Sequence, residues 1–432
     1  MGRPSLQGRL SGLAASTMAR RTALATALQL TRLVLQLAFL ILLARTLAPL
    51  QYGLFVGASS LATAAAGLSG LGTGMLLVKR VAVSATAWNA MWSHALRMFL
   101  GTGLVLAILF ATSGANLLRV SITLPAMLCI GLSELICLPL VYLASFAFQA
   151  FDRIGLSAAM PCIMAMCRLL GIIAFSLSGL PRTLPSYVIV HVAASTLAAV
   201  LTLALVRWCL RPAPSSGRVP AGTNKEALRF CAGWFTNNAL VELDKSLAVR
   251  FGSPTVAAGY ALAYRLSSAL STPITSLVLT AQPRLFARQG AARRRLSINM
   301  ILATALCSLG AGLAMFVLSP LLPIIFGHGY EDAAHFGRSL ALLPLAFGLR
   351  FVLGSLLVAE GHPALRAILE AVGCVAMVMS AAILIPRFGA AGMTSMILIA
   401  ETTVAAAAAI ALALIHRSYV SSQPAGPSEP QG

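Results

Sequence analysis

About a dozen long apolar blocks run the length of this chain, and its arginines and lysines fall almost entirely in alternate gaps between them. A helix needs roughly 20 mostly apolar residues to cross a bilayer. With 59% hydrophobic residues, 10% charged residues and a mean hydropathy of +0.89, the chain holds more apolar sequence than a water-soluble domain buries. The blocks predict an all-α, polytopic membrane protein with helices over 22–44, 54–78, 95–113, 122–147, 156–177 and 186–206. A second set follows over 229–250, 257–280, 297–318, 337–358, 364–385 and 392–415. Twelve spans return the chain to the side on which it starts.

The gaps predict which side that is. Those on the N-terminal side hold 20 of the 31 Lys and Arg residues, the opposite gaps hold 6, and the rest lie within spans. Cytoplasmic loops carry the basic excess, so both termini are expected in the cytoplasm. Trp88, Trp92, Trp208 and Trp234 fall near the same ends, where an amphipathic ring suits the headgroup layer. The net charge of +20 does not point to nucleic acid, because the basic residues flank apolar spans and make no folded basic face. Contact with anionic membrane lipid accounts for it. The first apolar block is longer than a signal-peptide core and reads as a permanent helix. Residues 1–21 are expected as a cytoplasmic tail and 416–432, with Pro424, Gly426 and Pro427, as a disordered one. The eight cysteines lack metal or disulfide spacing and read as small packing residues.

The gap 208–228 has a linker composition, with Pro212, Pro214, Ser215, Ser216, Gly217 and Pro220. It predicts an N-lobe of six helices over 22–207 and a C-lobe of six over 229–415. The lobes echo each other. Leu43-Ala44-Arg45 precedes Gly53, Leu247-Ala248-Val249-Arg250 precedes Gly259, and Ile385-Pro386-Arg387 precedes Gly392. With an even helix count per lobe, such repeats are related by a pseudo-twofold axis along the membrane normal, an architecture that suits alternating access. Shared hairpin turn chemistry is the competing explanation of the echo. Pro125, Pro139, Pro161, Pro273 and Pro344 fall within spans as candidate kinks.

Ten ionisable residues lie inside the predicted spans: Arg32, Arg168, Lys245, Arg265, Arg350, Glu134, Glu242, Asp244, Glu370 and Glu401. Each costs roughly 2.5–3.5 kcal/mol at a helix centre, so such groups face a cavity or a partner. Arg32 shares a helix face with Gln29 and Gln36, a polar stripe expected to line water or to meet another helix. The seventh span is the most polar, reading Asn237-Asn238-Ala239-Leu240-Val241-Glu242-Leu243-Asp244-Lys245. Two readings fit it: ion pairs of Asp244 with Arg265 and Glu242 with Lys245, or a gated site for an anion or a coupling cation. Glu134 and Glu401 are expected to neutralise basic neighbours or to carry protons. Five basic and five acidic groups cancel, so composition alone does not make the cavity cationic.

No Gly-Lys dipeptide occurs, which removes a phosphate-binding P-loop, and there is no His-x-x-x-His, Gly-x-Ser-x-Gly or dinucleotide-binding turn. No catalytic residue, metal site or cofactor is expected. The outer gaps are short, the longest being 319–336.

The stretch Leu43 to Phe55, continuing through Gly70-Leu71-Gly72-Thr73-Gly74, resembles the opening hairpin of Wzx-like polysaccharide flippases of the multidrug/oligosaccharidyl-lipid/polysaccharide exporter superfamily. Asp244-Lys245 through Gly259–Arg265 to Pro283, Leu321–Gly327 and Ile385–Gly392 resemble later parts of the same family. The resemblance implies a two-lobed inner-membrane transporter, not an enzyme. It would carry an undecaprenyl-pyrophosphate-linked oligosaccharide to the periplasmic leaflet for exopolysaccharide or O-antigen synthesis, coupled to a proton or sodium gradient. A glycan polymerase and chain-length machinery would be its partners. Arg32, Lys245, Arg265, Arg350 and Arg168, with Gln29 and Gln36, become the candidate substrate-binding set. Asp244, Glu242 and Glu401 become the coupling or ion-pair set. Arginine suits pyrophosphate because its planar fork donates two bonds and stays charged when desolvated. One rival is a cation-coupled multidrug antiporter of the same superfamily, which needs an acidic, aromatic pocket; aromatic residues make up 7% of the chain. A second is a membrane-embedded glycan polymerase or ligase, which the short outer gaps disfavour.

Overall fold

Ten helices long and apolar enough to cross a membrane occur among the described residues, and two further rods complete the expected order. The structure is a computed structural model and describes residues 6–213, 219–220, 222–287, 290–327 and 329–421. The rods are α1 (Leu6–Thr46), α2 (Pro49–Val83), α3 (Ala85–Leu118), α4 (Leu124–Ala150), α5 (Ile154–Leu177) and α6 (Leu184–Leu210). There follow α7 (Thr223–Phe251), α8 (Pro254–Leu270 and Thr272–Ala287), α9 (Ala292–Phe326), α10 (Asp332–Ala359), α11 (Pro363–Phe388) and α12 (Ala390–Ser421). The two that fall short on apolar length are α7 and α8. The first carries the polar run that ends at Lys245, and the second is broken at Ser271.

Both ends differ from expectation. Helix begins at Leu6, inside the expected N-terminal tail, and α12 runs on to Ser421, inside the expected C-terminal tail. Residues 1–5 and 422–432 lie outside the described residues, as do 214–218 and 221 of the linker. The outer gap 319–336 is largely helical, in Ser319–Leu321, Leu322–Phe326 and Asp332–Ser339.

The chain forms two compact units, Met1–Ala258 with Ile324–Tyr330, and Gly259–Pro323 with Glu331–Gly432. The division falls after α7, not at the proline-rich linker, so the helix assigned by sequence to the second lobe packs within the first unit. Glycines explain why. Gly53 and Gly57 are four apart on α2, and small residues at that spacing let helix backbones approach closely. A Cβ on Gly53 would lie 1.8 Å from the Pro254 carbonyl oxygen, and one on Gly57 would lie 2.6 Å from Val249 Cγ2. Ser246 Oγ closes the contact by donating to the Gly57 carbonyl at 2.9 Å. In the same unit, Tyr330 donates to the Ala44 and Leu47 carbonyls, and Arg45 donates to those of Ile324 and Ile325.

The first unit's core includes Leu76, Val81, Trp88, Trp92, Ala147 and Phe148. Trp88 and Trp92 are buried within this core, with Trp88 meeting Phe151 edge-on at 5.1 Å. Trp208 alone of the four is largely exposed. The second unit has its own apolar cluster around Val278, Leu285, Met300, Val352 and Leu356.

The span prolines take two roles. Pro125 opens α4, and Pro344 opens the segment Leu343–Ala359 of α10 just after a 3-10 turn at Leu340–Leu342, where no N–H is required. Pro139 and Pro161 lie deeper, and each removes a donor from the carbonyl four residues before it. A serine on a neighbouring helical segment replaces each lost bond. Ser69 Oγ donates to the Leu135 carbonyl at 2.9 Å, and Ser145 Oγ donates to the Ser157 carbonyl at 2.8 Å. Just before Pro139, α4 widens into a π turn over Ser133–Cys137.

Candidate functional site

Within the first unit, a cavity of about 180 Å³ opens where α2 breaks. Gly70, Leu71 and Gly72 have φ of 74°, 46° and 79°, a left-handed run that no continuous helix accepts. Gly72 cannot carry a side chain, because a Cβ there would sit 2.1 Å from the Ala227 carbonyl oxygen on α7. Thr102 Oγ1 holds the break by accepting from the Gly70 N–H at 2.8 Å. Rings of Phe99, Tyr142, Phe146, Phe230 and Trp234 line the space. Trp234 meets Tyr142 edge-on at 6.1 Å and Phe146 at 5.8 Å. The amides of Asn237 and Asn238 and the carboxyl-bearing Glu242 supply the polar wall, all from successive turns of α7.

Glu242 joins this cavity to a buried ion cluster further along α7. Lys245 Nζ donates to Asp244 Oδ1 and to the Val241 carbonyl, each at 2.8 Å, and lies 3.5 Å from Glu242 Oε2. Ser60 on α2 donates to Glu242 Oε2 at 3.3 Å. Asp244 and Lys245 are fully buried. The expected Glu242–Lys245 pair is present, with Asp244 as a nearer partner of the lysine. Arg265 lies half-buried in the second unit.

A second network sits on α4, α5 and α6. Arg168 Nη2 bonds Glu134 Oε1 at 2.8 Å and Ser133 Oγ at 3.0 Å, while its Nε bonds Ser195 Oγ at 3.1 Å. His191 Nε2 lies 3.0 Å from the same Glu134 oxygen, and its Nδ1 lies 3.2 Å from the Tyr187 hydroxyl. Phe55 covers His191 and Tyr187 edge-on, 5.0 Å from each. The π turn supplies Ser133 and Glu134 side by side, and π turns inside α-helices often mark functional positions. Sequence reasoning found Glu134 and Arg168 but missed His191. Tyr187 four residues before it, on the same face of an otherwise apolar span, was the available signal.

The third network belongs to the second unit, on α10, α11 and α12. Arg350 is 2% exposed; its Nε bonds Glu401 Oε2 at 2.5 Å and its Nη1 lies 3.8 Å from Glu370 Oε1. Arg366 Nε bonds that same Glu370 oxygen at 2.9 Å. The Arg350 guanidinium stands over the Phe347 ring and that of Arg366 over Phe351. Arg168 and Arg350, both candidates for substrate, thus have their guanidinium groups committed to buried acids of their own unit.

Arg32 differs from them. It extends the α1 stripe that packs on α5 through Leu24 against Gly155 and through the Leu28 carbonyl, which accepts from Cys162. It is half-buried and makes no side-chain hydrogen bond or ion pair with the described residues, while Gln29 and Gln36 beside it are exposed.

Solved structures share this fold. The chain superposes on an inward-facing multidrug resistance MATE family transporter of the MOP superfamily with a TM-score of 0.72 and 14% identity, covering 91% of this chain and 96% of that one. On the lipid II flippase MurJ, in an inward closed conformation, the TM-score is 0.70 at 12% identity, with 94% of each chain covered. The MATE multidrug transporter DinF-BH gives 0.62 at 16% identity, covering 91% and 95%. No curated protein matches the chain in sequence. Residues 18–289, more than half of the chain, match the family described as polysaccharide biosynthesis protein, and the chain belongs to that family.

Proposed function

We propose that this protein flips undecaprenyl-pyrophosphate-linked oligosaccharide repeat units from the cytoplasmic to the periplasmic leaflet of the bacterial inner membrane by alternating access. Both termini are then cytoplasmic. The observation that carries the reading is the family match over residues 18–289 on a chain whose fold is shared with a lipid flippase. Arg32 supports it as an intramembrane cation with no acidic partner among the described residues, a state that suits a group receiving a pyrophosphate. Arg265 and Lys245 are the further headgroup candidates. A proton or sodium gradient drives the cycle through the buried acids, among which Asp244, Glu242 and Glu401 are the first to test. The delivered unit then meets a glycan polymerase and chain-length machinery.

The test is translocation in proteoliposomes. Fluorescent undecaprenyl-pyrophosphate oligosaccharide, placed in one leaflet, should become accessible in the other only with protein present. Arg32→Ala should lower the rate at least tenfold, and Arg32→Lys should recover part of it, because a point charge replaces a fork. An unchanged rate in Arg32→Ala removes Arg32 from the headgroup site; no translocation by the intact protein removes the function. The likeness to MATE transporters favours one second reading, export of organic cations. Efflux of a cationic dye from cells, lost on deletion while surface polysaccharide persists, would establish it instead.

A further inference from the structure

We propose that the cavity at the α2 break binds one uncharged sugar ring of the lipid-linked glycan, separately from any site that holds its pyrophosphate. This rests on the flippase reading and names what part of the substrate the cavity takes.

Size sets the first bound. An apolar cavity of about 150 Å³ takes up benzene. The 180 Å³ here therefore suits one substituted six-membered ring. Charge sets the second. No Lys, Arg or His lines the cavity, so nothing there compensates a phosphate. Its single acid, Glu242, already accepts from Ser60 and faces Lys245 Nζ at 3.5 Å, which leaves no free carboxylate for an organic cation. Chemistry decides among neutral ligands. The side-chain amides of Asn237 and Asn238 make no hydrogen bond to any described residue. Each amide offers two donors and an acceptor, which matches hydroxyl groups that both give and take. Trp234 remains 37% exposed beside Tyr142 and Phe146. A sugar ring presents apolar C–H faces to such rings and hydroxyls around its edge. Few ligands need both surfaces at once.

The position suits loading. The walls run from the middle of α2, α4 and α7 into the halves that the basic bias assigns to the cytoplasm, with Phe99 added from the middle of α3. Broken membrane helices characteristically build substrate sites in transporters, and α2 breaks at this wall.

Saturation-transfer NMR on the full chain in nanodiscs tests the assignment, with three probes: a neutral methyl glycoside of an N-acetylhexosamine, tetraphenylphosphonium and inorganic pyrophosphate. The glycoside should bind, weakly, and Asn238→Ala should reduce its affinity about tenfold, the loss expected for one or two hydrogen bonds. Trp234→Ala should abolish binding, and Trp234→Phe, which keeps a ring in the wall, should retain part of it. Asn238→Ala removes no internal bond, so it reports even if Trp234→Ala misfolds. Pyrophosphate binding should not respond to Asn238→Ala. The proposal is overturned if the glycoside does not bind, if its binding ignores Asn238→Ala, or if only tetraphenylphosphonium depends on these residues. Translocation of lipid-linked oligosaccharide is scored separately. Asn238-dependent glycoside binding without translocation retains the sugar site and removes the flippase. Normal translocation by Asn238→Ala and Trp234→Phe, with no glycoside binding, does the reverse.

Discussion

Replacing Arg350 by Met should destabilise the second unit severely, and a second substitution should repair most of the damage. Arg350 is 2% exposed and serves two carboxylates, Glu401 at 2.5 Å and Glu370 at 3.8 Å. Glu370 keeps Arg366 at 2.9 Å when Arg350 is lost, whereas Glu401, itself 1% exposed, loses the guanidinium that bonds it at 2.5 Å. Removing one partner of a buried ion pair costs about 3–5 kcal/mol, because the other charge stays behind in a medium that solvates it poorly. Arg350→Met combined with Glu401→Gln removes both charges of that pair together, while Arg366 and Glu370 persist. The double variant should then lie within about 1–2 kcal/mol of wild type, the cost of an amide with incomplete hydrogen bonding. The coupling energy between the two positions is then the roughly 2–3 kcal/mol recovered plus the cost of Glu401→Gln alone. SDS-driven unfolding in mixed micelles, followed by loss of a second-unit amide-exchange signature, measures all four corners of the cycle. Additive effects, or an Arg350→Met protein as stable as wild type, would refute the idea that this arginine braces its own unit. If Arg350 instead met the substrate, Arg350→Met would fold normally and fail to translocate, and Glu401→Gln would not rescue it.

Further outcomes follow from other contacts. Glu226, outside the apolar spans, accepts from Lys79 and from Arg80, each at 2.6 Å, and hydrogen bonds first from Lys79 and then from Arg80 hold its carboxyl below the ordinary value of 4.5. This clasp between α2 and the start of α7 is complete above that ordinary value and is lost as pH falls through the lowered folded one. Exchange at amides 223–228, normalised to Glu226→Gln, should rise only in that acidic window. Ser69→Ala should strip the Leu135 carbonyl of its replacement donor at a cost of about 1 kcal/mol, and Ser69→Thr should keep that donor, as unfolding midpoints will show. Gly57→Ala should separate α2 from α7 and lose about 1–3 kcal/mol, because its Cβ would meet Val249 Cγ2 at 2.6 Å. Cysteine cross-linking across the two helices would report the separation.

Much of the fold could be read from residues alone, because membrane helices must satisfy their own backbone groups and so announce themselves as unbroken apolar runs. The twelve rods follow the twelve blocks. What failed was partnership. The proline-rich linker reports where the chain bends, not which surfaces fit, so α7 was assigned by its position in sequence and not by the Gly53–Gly57 seam that receives it. The charged residues within the spans were recognised as costly, yet cost alone does not tell a cavity from a pair. Arg168 and Arg350 found acids on neighbouring helices at distances no periodicity encodes. The cavity was invisible for the same reason. It gathers residues from α2, α3, α4 and α7, and Trp234 looks like any interfacial tryptophan until Tyr142 and Phe146 stand beside it.

The widened turn at Ser133–Cys137 amounts to one surplus residue in α4. Each residue of an α-helix advances about 100° around its axis, so deleting a single position there would leave Glu134 facing its partners while Tyr142 and Phe146 swung away from Trp234. The polar knot and the aromatic wall occupy one rod, and the insertion keeps them in phase. A relative lacking that position would have to surrender one of the two.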